Sequence, residues 1–369
     1  MAEIAHGTAA TPILRPPAIE IGVLGWLRKN LFNSIPSSIL TIVAAYLLWL
    51  TLPPVIDWGI LRAVWYADTS APCKADGAGA CWAFIAEKHR LIFFGTYPFE
   101  EQWRPLIAMI LLLGLILISA NRRFWNKWLM VWWAVGLVVC GILMWGGIFG
   151  LTYVSNLDWG GLPLTLVMSV AGSVFAFPLG IMLALGRRSH MPIMRWLSVA
   201  YIELIRGVPL ITVLITASVI FPLFLPTGVT IDKLLRAQVG LILFEAAYIA
   251  EIVRGGLQAV PRGQFEAADS LGLSFFQKQV KIVMPQALRM VIPPLVGNFI
   301  GLFKSTTLVI VIGLFDLLNS AKAALADLGW RGFAIELYLF TAAIYFLFCY
   351  SMSKYSQSLE RKLNKGNRR

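Results

Sequence analysis

Eight predominantly apolar stretches alternate with polar segments along the chain, near 37–56, 104–120, 128–150, 163–185, 207–225, 236–255, 290–313 and 335–353. Each approaches the roughly twenty residues that a helix needs to cross a bilayer. The pattern predicts an all-α polytopic membrane protein with about eight transmembrane helices. Lys and Arg concentrate in alternate connections: Arg122, Arg123 and Lys127, then Arg187, Arg188, Arg195 and Arg206, then Arg254 to Arg289. Together with Arg15, Arg28 and Lys29 before the first run and the basic stretch from Lys354 to Arg369, they place both termini in the cytoplasm by the positive-inside rule. Two connections stand out by length. Residues 57–103 lie on the outer side and carry Trp58, Trp65, Tyr66, Trp82 and Trp103, aromatics suited to a membrane surface. Residues 256–289 lie on the inner side.

Composition strengthens this reading. With 58% hydrophobic and 14% charged residues and a mean hydropathy of +0.74, the chain is too apolar for a soluble globular protein. The formal charge of +12 does not point to nucleic acid, because the basic residues sit at the ends of apolar runs. The first thirty or so residues are polar and contain prolines, which reads as a cytoplasmic tail and not as a cleavable signal. Of the four cysteines, Cys140 and Cys349 lie in apolar runs. Cys73 and Cys81 share a polar outer segment, where an oxidising compartment favours a disulfide. A zinc site there lacks ligands, His89 being the nearby histidine, and the sequence suggests no other metal site.

No catalytic group is apparent. Gly297 to Ser305 matches a phosphate-binding loop only superficially, and His6, His89 and His190 are scattered. The chain is therefore expected to be a non-enzyme that binds no cofactor of its own.

The inner segment 266–285 reads EAADSLGLSFFQKQVKIVMP. Glu266 to Leu271 favour a helix, Gly272 permits the turn that ends it, and Pro285 is expected to limit a second helix. Leu271, Leu273, Phe275 and Phe276 form an apolar knob between the arms, with Gln277, Lys278 and Lys281 as its polar rim. The spacing of Glu266, Ala267, Ala268, Gly272, Ile282, Met284 and Pro285 resembles the EAA loop of permease subunits in ATP-binding-cassette importers. Three further stretches resemble the polar-amino-acid branch of that family: Glu203 to Leu210, Ala247 to Gly256, and Pro293 to Val309.

The resemblance covers about residues 155–355. It implies a type I importer core of five spans at 153–355, with the EAA loop at 256–289 and a basic cytoplasmic tail at 356–369. Ahead of it come a cytoplasmic tail at 1–36 and an accessory three-span region at 37–152. That long extension resembles the M-type permease subunits of general L-amino-acid importers. The resemblance further implies coupling to an ATPase through Glu266, Ala267, Ala268, Gly272, Leu273, Phe275, Phe276 and Pro285. The implied partners are a cytoplasmic ATPase dimer holding ATP and Mg, a second permease subunit and a periplasmic amino-acid-binding protein, all at a bacterial inner membrane. A secondary transporter or a membrane scaffold is the alternative, but no inverted repeat is visible.

Ionisable groups within spans are costly and mark transport paths by default. Glu245 and Lys304, with Asn298 and Ser305, are the candidates for the substrate path. A carboxylate and a set of donors complement the two charges of an amino acid. Alternatively, Glu245 and Lys304 pair with each other between helices. Glu251 with Arg254, and Glu203 with Arg206, stand three apart on helix faces and are expected to pair locally, the latter bracing the EAA loop.

Overall fold

The computed structural model describes residues 22–226 and 228–364. His6, Arg15, Lys365, Arg368 and Arg369, with most of the expected N-terminal tail, lie outside them. Among the described residues the elements are almost all helical: α1 (Gly22–Asn30), α2 (Ile35–Ile56), α3 (Trp82–Phe94), α4 (Trp103–Ala120), α5 (Trp128–Trp145), α6 (Gly161–Arg187), α7 (Pro192–Gly207), α8 (Leu210–Ile215), α9 (Lys233–Ala259), α10 (Arg262–Ser270), α11 (Phe275–Gln277), α12 (Met284–Ser305), α13 (Leu317–Ala324) and α14 (Ala334–Asn364). One two-residue strand, β1 (Phe315–Asp316), bridges Gly160 and Gly161.

The chain divides into two compact units, one ending at Ala67 and including Ala71–Trp82, the other Asp68–Ser70 with Ala83 onward. In the first, Ser34 caps α2 by accepting from the Ser37 N–H, and α2 buries none of its residues within the chain. Pro53 and Pro54 lie in its last turns, and the helix loosens into a π turn at Asp57–Leu61, as expected where prolines remove backbone donors. Beyond it the chain folds back on itself. The Val64 N–H donates to the Ala80 carbonyl at 2.8 Å, Gly79 N–H to Arg62 O at 2.8 Å, and Trp82 Nε1 to Gly59 O at 2.8 Å. Cys73 and Cys81 are joined by a disulfide with Cα atoms 5.4 Å apart.

The second unit is centred on α6 and α9. Gly172, Ala176, Gly180 and Ala184 recur every fourth residue of α6 and are buried. They form a flat stripe against which Ala246, Ile249, Ala250 and Val253 of α9 pack. Small residues at this period let two membrane helices approach until their backbones nearly touch. A Cβ on Gly180 would stand 2.5 Å from Ile249 Cγ2. Val283, Ala287, Val291 and Leu295 bring α12 and the turn before it onto the same core, α14 packs on α12, and α4 with α5 forms a hairpin. The sequence boundary expected at 152/153 falls inside this unit.

Among the described residues, six helical stretches are long and apolar enough to cross a membrane: Ile35–Leu61, Phe99–Ala120, Trp128–Trp145, Gly161–Arg187, Phe275–Ile312 and Ala334–Lys362. The pair Pro192–Gly207 and Leu210–Phe224, bent by 107°, makes a seventh if taken as one span. The expected eighth, α9, has the length at 27 residues but carries Lys233, Arg236, Glu245, Glu251 and Arg254, so composition alone does not mark it as a crossing. Two expectations need correction here. Residues 57–103 are not merely a long surface loop, since they contain the 13-residue α3. The span expected at 207–225 is present from Leu210 to Phe224 but only as one arm of the bent pair, because Pro209 favours extended backbone at Val208 and separates α7 from α8.

Candidate functional site: the loop after α9 and the helix ends beside it

The loop after α9 is built from two short arms whose ends are set by local chemistry. The first arm, α10, stops at Ser270 because Gly272 takes φ +66°, a left-handed conformation that glycine adopts without cost. The turn is a Schellman motif: Gly272 N–H donates to Asp269 O at 2.9 Å and Leu273 N–H to Ala268 O at 3.2 Å. The second arm begins with a capping box. Ser274 Oγ accepts from the Gln277 N–H at 3.3 Å, and Gln277 Oε1 accepts from the Ser274 N–H at 3.1 Å.

Pro285 does not end this second arm. The helix widens into a π turn at Lys278–Val283, with the Met284 N–H reaching back to Gln279 O. Pro285 then takes its place near the start of α12. A π turn ahead of a proline accommodates the missing donor and the ring that would otherwise press on the preceding turn. The arm therefore runs on into α12 as part of one 38-residue helical stretch, Phe275–Ile312, with no irregular joint between the loop and the helix.

The arms are held together by Lys278 and Asp269, whose Nζ and Oδ1 are 2.5 Å apart, and by Gln286 Nε2 donating to Gln264 Oε1 at 3.0 Å. Ala268 and Val283 are buried. What the loop leaves uncovered is its apolar tip: Leu271 is 77% exposed, Phe276 73% and Phe275 55%. Leu273 is half-buried, and Glu266, Ala267 and Pro285 are exposed. Behind α10 lies a cavity of about 420 Å³ lined by Arg188, Leu257, Gln258, Val260, Arg262, Phe265 and Glu266. The Arg188 guanidinium stands 5.6 Å from the centre of the Phe265 ring.

At the root of the loop, the ends of α6, α7 and α9 meet in an ion network. Glu251 receives Arg187 at 2.7 Å, Arg254 at 2.8 Å and Arg206 at 3.5 Å, and Arg187 also reaches Glu203 at 2.9 Å. The Glu251–Arg254 pairing expected from their spacing is present. Glu203 and Arg206 do not pair with each other, contrary to the expectation: each turns to a neighbouring helix, Glu203 to α6 and Arg206 to α9. They tie three helices together instead of bracing the loop directly. With Glu251 only 14% exposed at its side chain, Glu251→Ala leaves three guanidiniums facing one another with Glu203 as the remaining acid. A loss of about 2 kcal/mol is expected, below the range for a fully buried pair because the arginines are partly solvated. Thermal unfolding in detergent checks it. Adding Arg187→Ala to Glu251→Ala should cost less than the two single losses combined.

Of the substrate-path candidates, the structure brings two together. Glu245 of α9 is 3% exposed, and Asn298 Nδ2 of α12 donates to its Oε1. Lys304 is exposed and forms no ion pair with Glu245. The alternative of a Glu245–Lys304 pair is thus replaced by a carboxylate–amide pair. Ser305 ends α12 one turn or more beyond Asn298 and is half-buried.

Residues 176–365 match the family described as binding-protein-dependent transport system inner membrane component. The chain is 50% identical over 347 residues to the inner membrane amino-acid ABC transporter permease protein YhdY of Escherichia coli (strain K12), across 92% of this chain and 93% of that one. It is 38% identical over 427 residues to the glutamate/glutamine/aspartate/asparagine transport system permease protein BztC of Rhodobacter capsulatus, across 97% and 98% of the two chains. A solved structure titled an amino acid ABC transporter with histidines matches at TM-score 0.49 and 33% identity, over 55% of this chain and 92% of that one. The chain belongs to the family of inner membrane components of binding-protein-dependent transport systems. It is a multi-pass ABC importer permease subunit that works with an ATPase and a binding protein.

Proposed function

We propose that this chain carries amino acids inward as one half of an ATP-driven translocation path. The observation that carries the reading is the coupling loop, a braced pair of arms that exposes Leu271, Phe275 and Phe276 and runs without a break into α12. An exposed aromatic tip on a rigid loop suits an apolar groove on a protein partner, and the family supplies an ATPase as that partner. The amino-acid cargo is supported by the relatives, two of them named as amino-acid or glutamate/glutamine/aspartate/asparagine permeases.

In this reading both termini and the loop at 256–289 face the cytoplasm. An ATPase dimer binds ATP and Mg, and a second, different permease subunit completes the path. A periplasmic binding protein delivers the amino acid. Residues 37–152 form the accessory region and 153–355 the importer core. Closure of the ATPase dimer draws the coupling loops together. Because α12 is continuous with the loop and packs on α9 and α6, that movement tilts the core from an inward to an outward opening. Glu245 and Asn298 lie where a passing ammonium would meet a carboxylate. Expression with its neighbouring subunits, purification through this chain and reconstitution into liposomes test the reading. An ATPase should copurify, and uptake of labelled amino acid should require both ATP and the binding protein. Uptake by this chain alone, driven by an ion gradient, would establish a secondary transporter.

A further inference from the structure

The segment between the disulfide-closed hairpin and the first core span is attached at both of its ends, in two different places. Helix α3 buries Phe84, Ile85 and Ile92 along one face, with Lys88 between them at the edge. Phe84 is fully buried and meets Trp330 at 6.2 Å and Phe333 at 5.8 Å between ring centres, and Phe93 meets Phe340 of α14 edge-on at 5.9 Å. Lys88 Nζ is 2.7 Å from Asp327 Oδ2. Asp327 also caps its own turn, with Oδ1 accepting from the Gly329 N–H at 2.8 Å. The hydrogen bond from Lys88, with that from the Gly329 backbone, holds the Asp327 carboxyl below the usual carboxylate range.

The end of α3 is pressed into the core with no room for side chains. A Cβ on Gly95 would stand 2.5 Å from Gly160 Cα, and one on Gly161 would stand 2.0 Å from Phe93 O. Ser320 Oγ of α13 accepts from the Gly161 N–H at 2.9 Å across the same contact. Just beyond, the chain is fastened to the α4–α5 hairpin. The wholly buried Arg104 donates through Nε to Leu143 O at 2.7 Å and through Nη1 to Thr152 O at 2.9 Å, while Tyr97 Oη donates to Met144 O at 2.9 Å. Arg90 Nε donates to Gln102 Oε1 at 2.7 Å, joining α3 to the start of α4.

We infer that α3 is a strap that holds the turn 325–333, between α13 and α14, in one rigid piece with the α4–α5 hairpin and the start of α6, and thereby sets the surface that the binding protein meets. The structural half of this stands on the contacts above. The docking half rests on the importer reading, which places 57–103 and the turn 325–333 on the outer side. Lys88 is then a positioning residue, and the Gly329 and Trp330 amides, hydrogen-bonded within the strapped turn, report on it.

The experiment has two readouts. In full-length protein, hydrogen exchange of the amides in the turn 325–333 should quicken about five-fold with Lys88→Glu, the effect of losing roughly one partly exposed ion pair, and should stay at the starting rate with Lys88→Arg. Equal exchange in all three proteins overturns the strap, and this readout does not depend on transport. In proteoliposomes, Lys88→Glu should raise the concentration of loaded binding protein needed for half-maximal uptake by a similar factor, with the maximal rate within about two-fold. Lys88→Arg should leave it unmoved. A fall in maximal rate with an unmoved half-saturation point makes Lys88 merely structural and overturns the docking half. If the unmutated protein gives no uptake with binding protein and ATP, the importer reading fails while the exchange result still decides the strap.

Discussion

Gly272→Pro is expected to abolish uptake, by about a hundredfold or more, while the subunit still inserts and reaches its normal amount. Gly272 sits at φ +66°, and proline is confined near −65°, so the turn between the arms cannot keep its shape. Proline also removes the N–H that donates to Asp269 O, one of the two bonds of the Schellman motif. A helix break of this kind costs about 3 kcal/mol or more, and here the cost falls on an exposed loop instead of on the membrane core. The loss therefore appears in coupling.

Gly272→Ala separates the causes. Nothing lies within 4 Å of a Cβ at that position, so no clash is added and only the left-handed backbone is penalised, by about 1–2 kcal/mol. Uptake should fall about tenfold. Glu266→Lys, which leaves the turn intact and reverses an exposed charge on the first arm, should uncouple through the partner's surface instead. Uptake and ATPase activity of the assembled complex, at equal expression, check all three. Normal uptake by Gly272→Pro would mean that the loop does not transmit the stroke.

Which of these features the chain discloses depends on how local their causes are. The apolar runs mark α2, α4, α5, α6 and α14 because lipid-facing helices are apolar on most sides. Helix α7 escapes notice because Arg195, Glu203 and Arg206 interrupt its pattern, although Pro192 at its start and Pro209 after its end are the ordinary boundary signals. Gly272 as a helix stop is legible from the residue alone. The capping box at Ser274 and Gln277 is equally local, and the spacing of a serine and a glutamine three apart was there to find it.

Pro285 misleads because a terminator by propensity becomes tolerable once the preceding turn widens. The rule that holds at one residue is overridden by the six-residue π turn ahead of it. Glu251 illustrates the opposite limit. Its i, i+3 partner Arg254 is visible in the sequence, yet Arg187, 64 residues away, enters only when α6 and α9 lie side by side. On spacing alone Glu203 and Arg206 suit each other, but Arg187 of α6 and Glu251 of α9 are the partners that the packing brings to them. The same holds for Arg104, whose carbonyl partners at Leu143 and Thr152 are some forty residues distant. Phe84 and Trp330 are farther apart still, and the helix that joins them lies in a segment that reads as a loop.

Glu245→Gln is expected to lower uptake of basic amino acids by about tenfold or more while leaving the amount of assembled complex unchanged. The side chain is buried at 3% exposure in the helix at the centre of the core, and its one side-chain partner among the described residues is the Asn298 amide. A carboxylate so placed costs several kcal/mol unless a partner offsets it, and a single neutral donor offsets only part of this. The remaining acceptor capacity suits a cation that arrives and leaves. Glutamine retains the shape and the oxygen that accepts from Asn298, so the interhelical bond between α9 and α12 survives. What is lost is the charge, and a hydrogen bond to a charged group contributes about 1.5–3 kcal/mol, which corresponds to roughly ten- to a hundredfold. Uptake of basic, neutral and acidic amino acids, each at matched amounts of complex, reads this directly. An unchanged profile across the three classes rejects a substrate role for Glu245. Asn298→Ala provides the structural counterpart: it strips the carboxylate of its partner, so it should lower assembly for every substrate alike. If Glu245→Gln does the same, the pair serves to join the helices and the cation is recognised elsewhere.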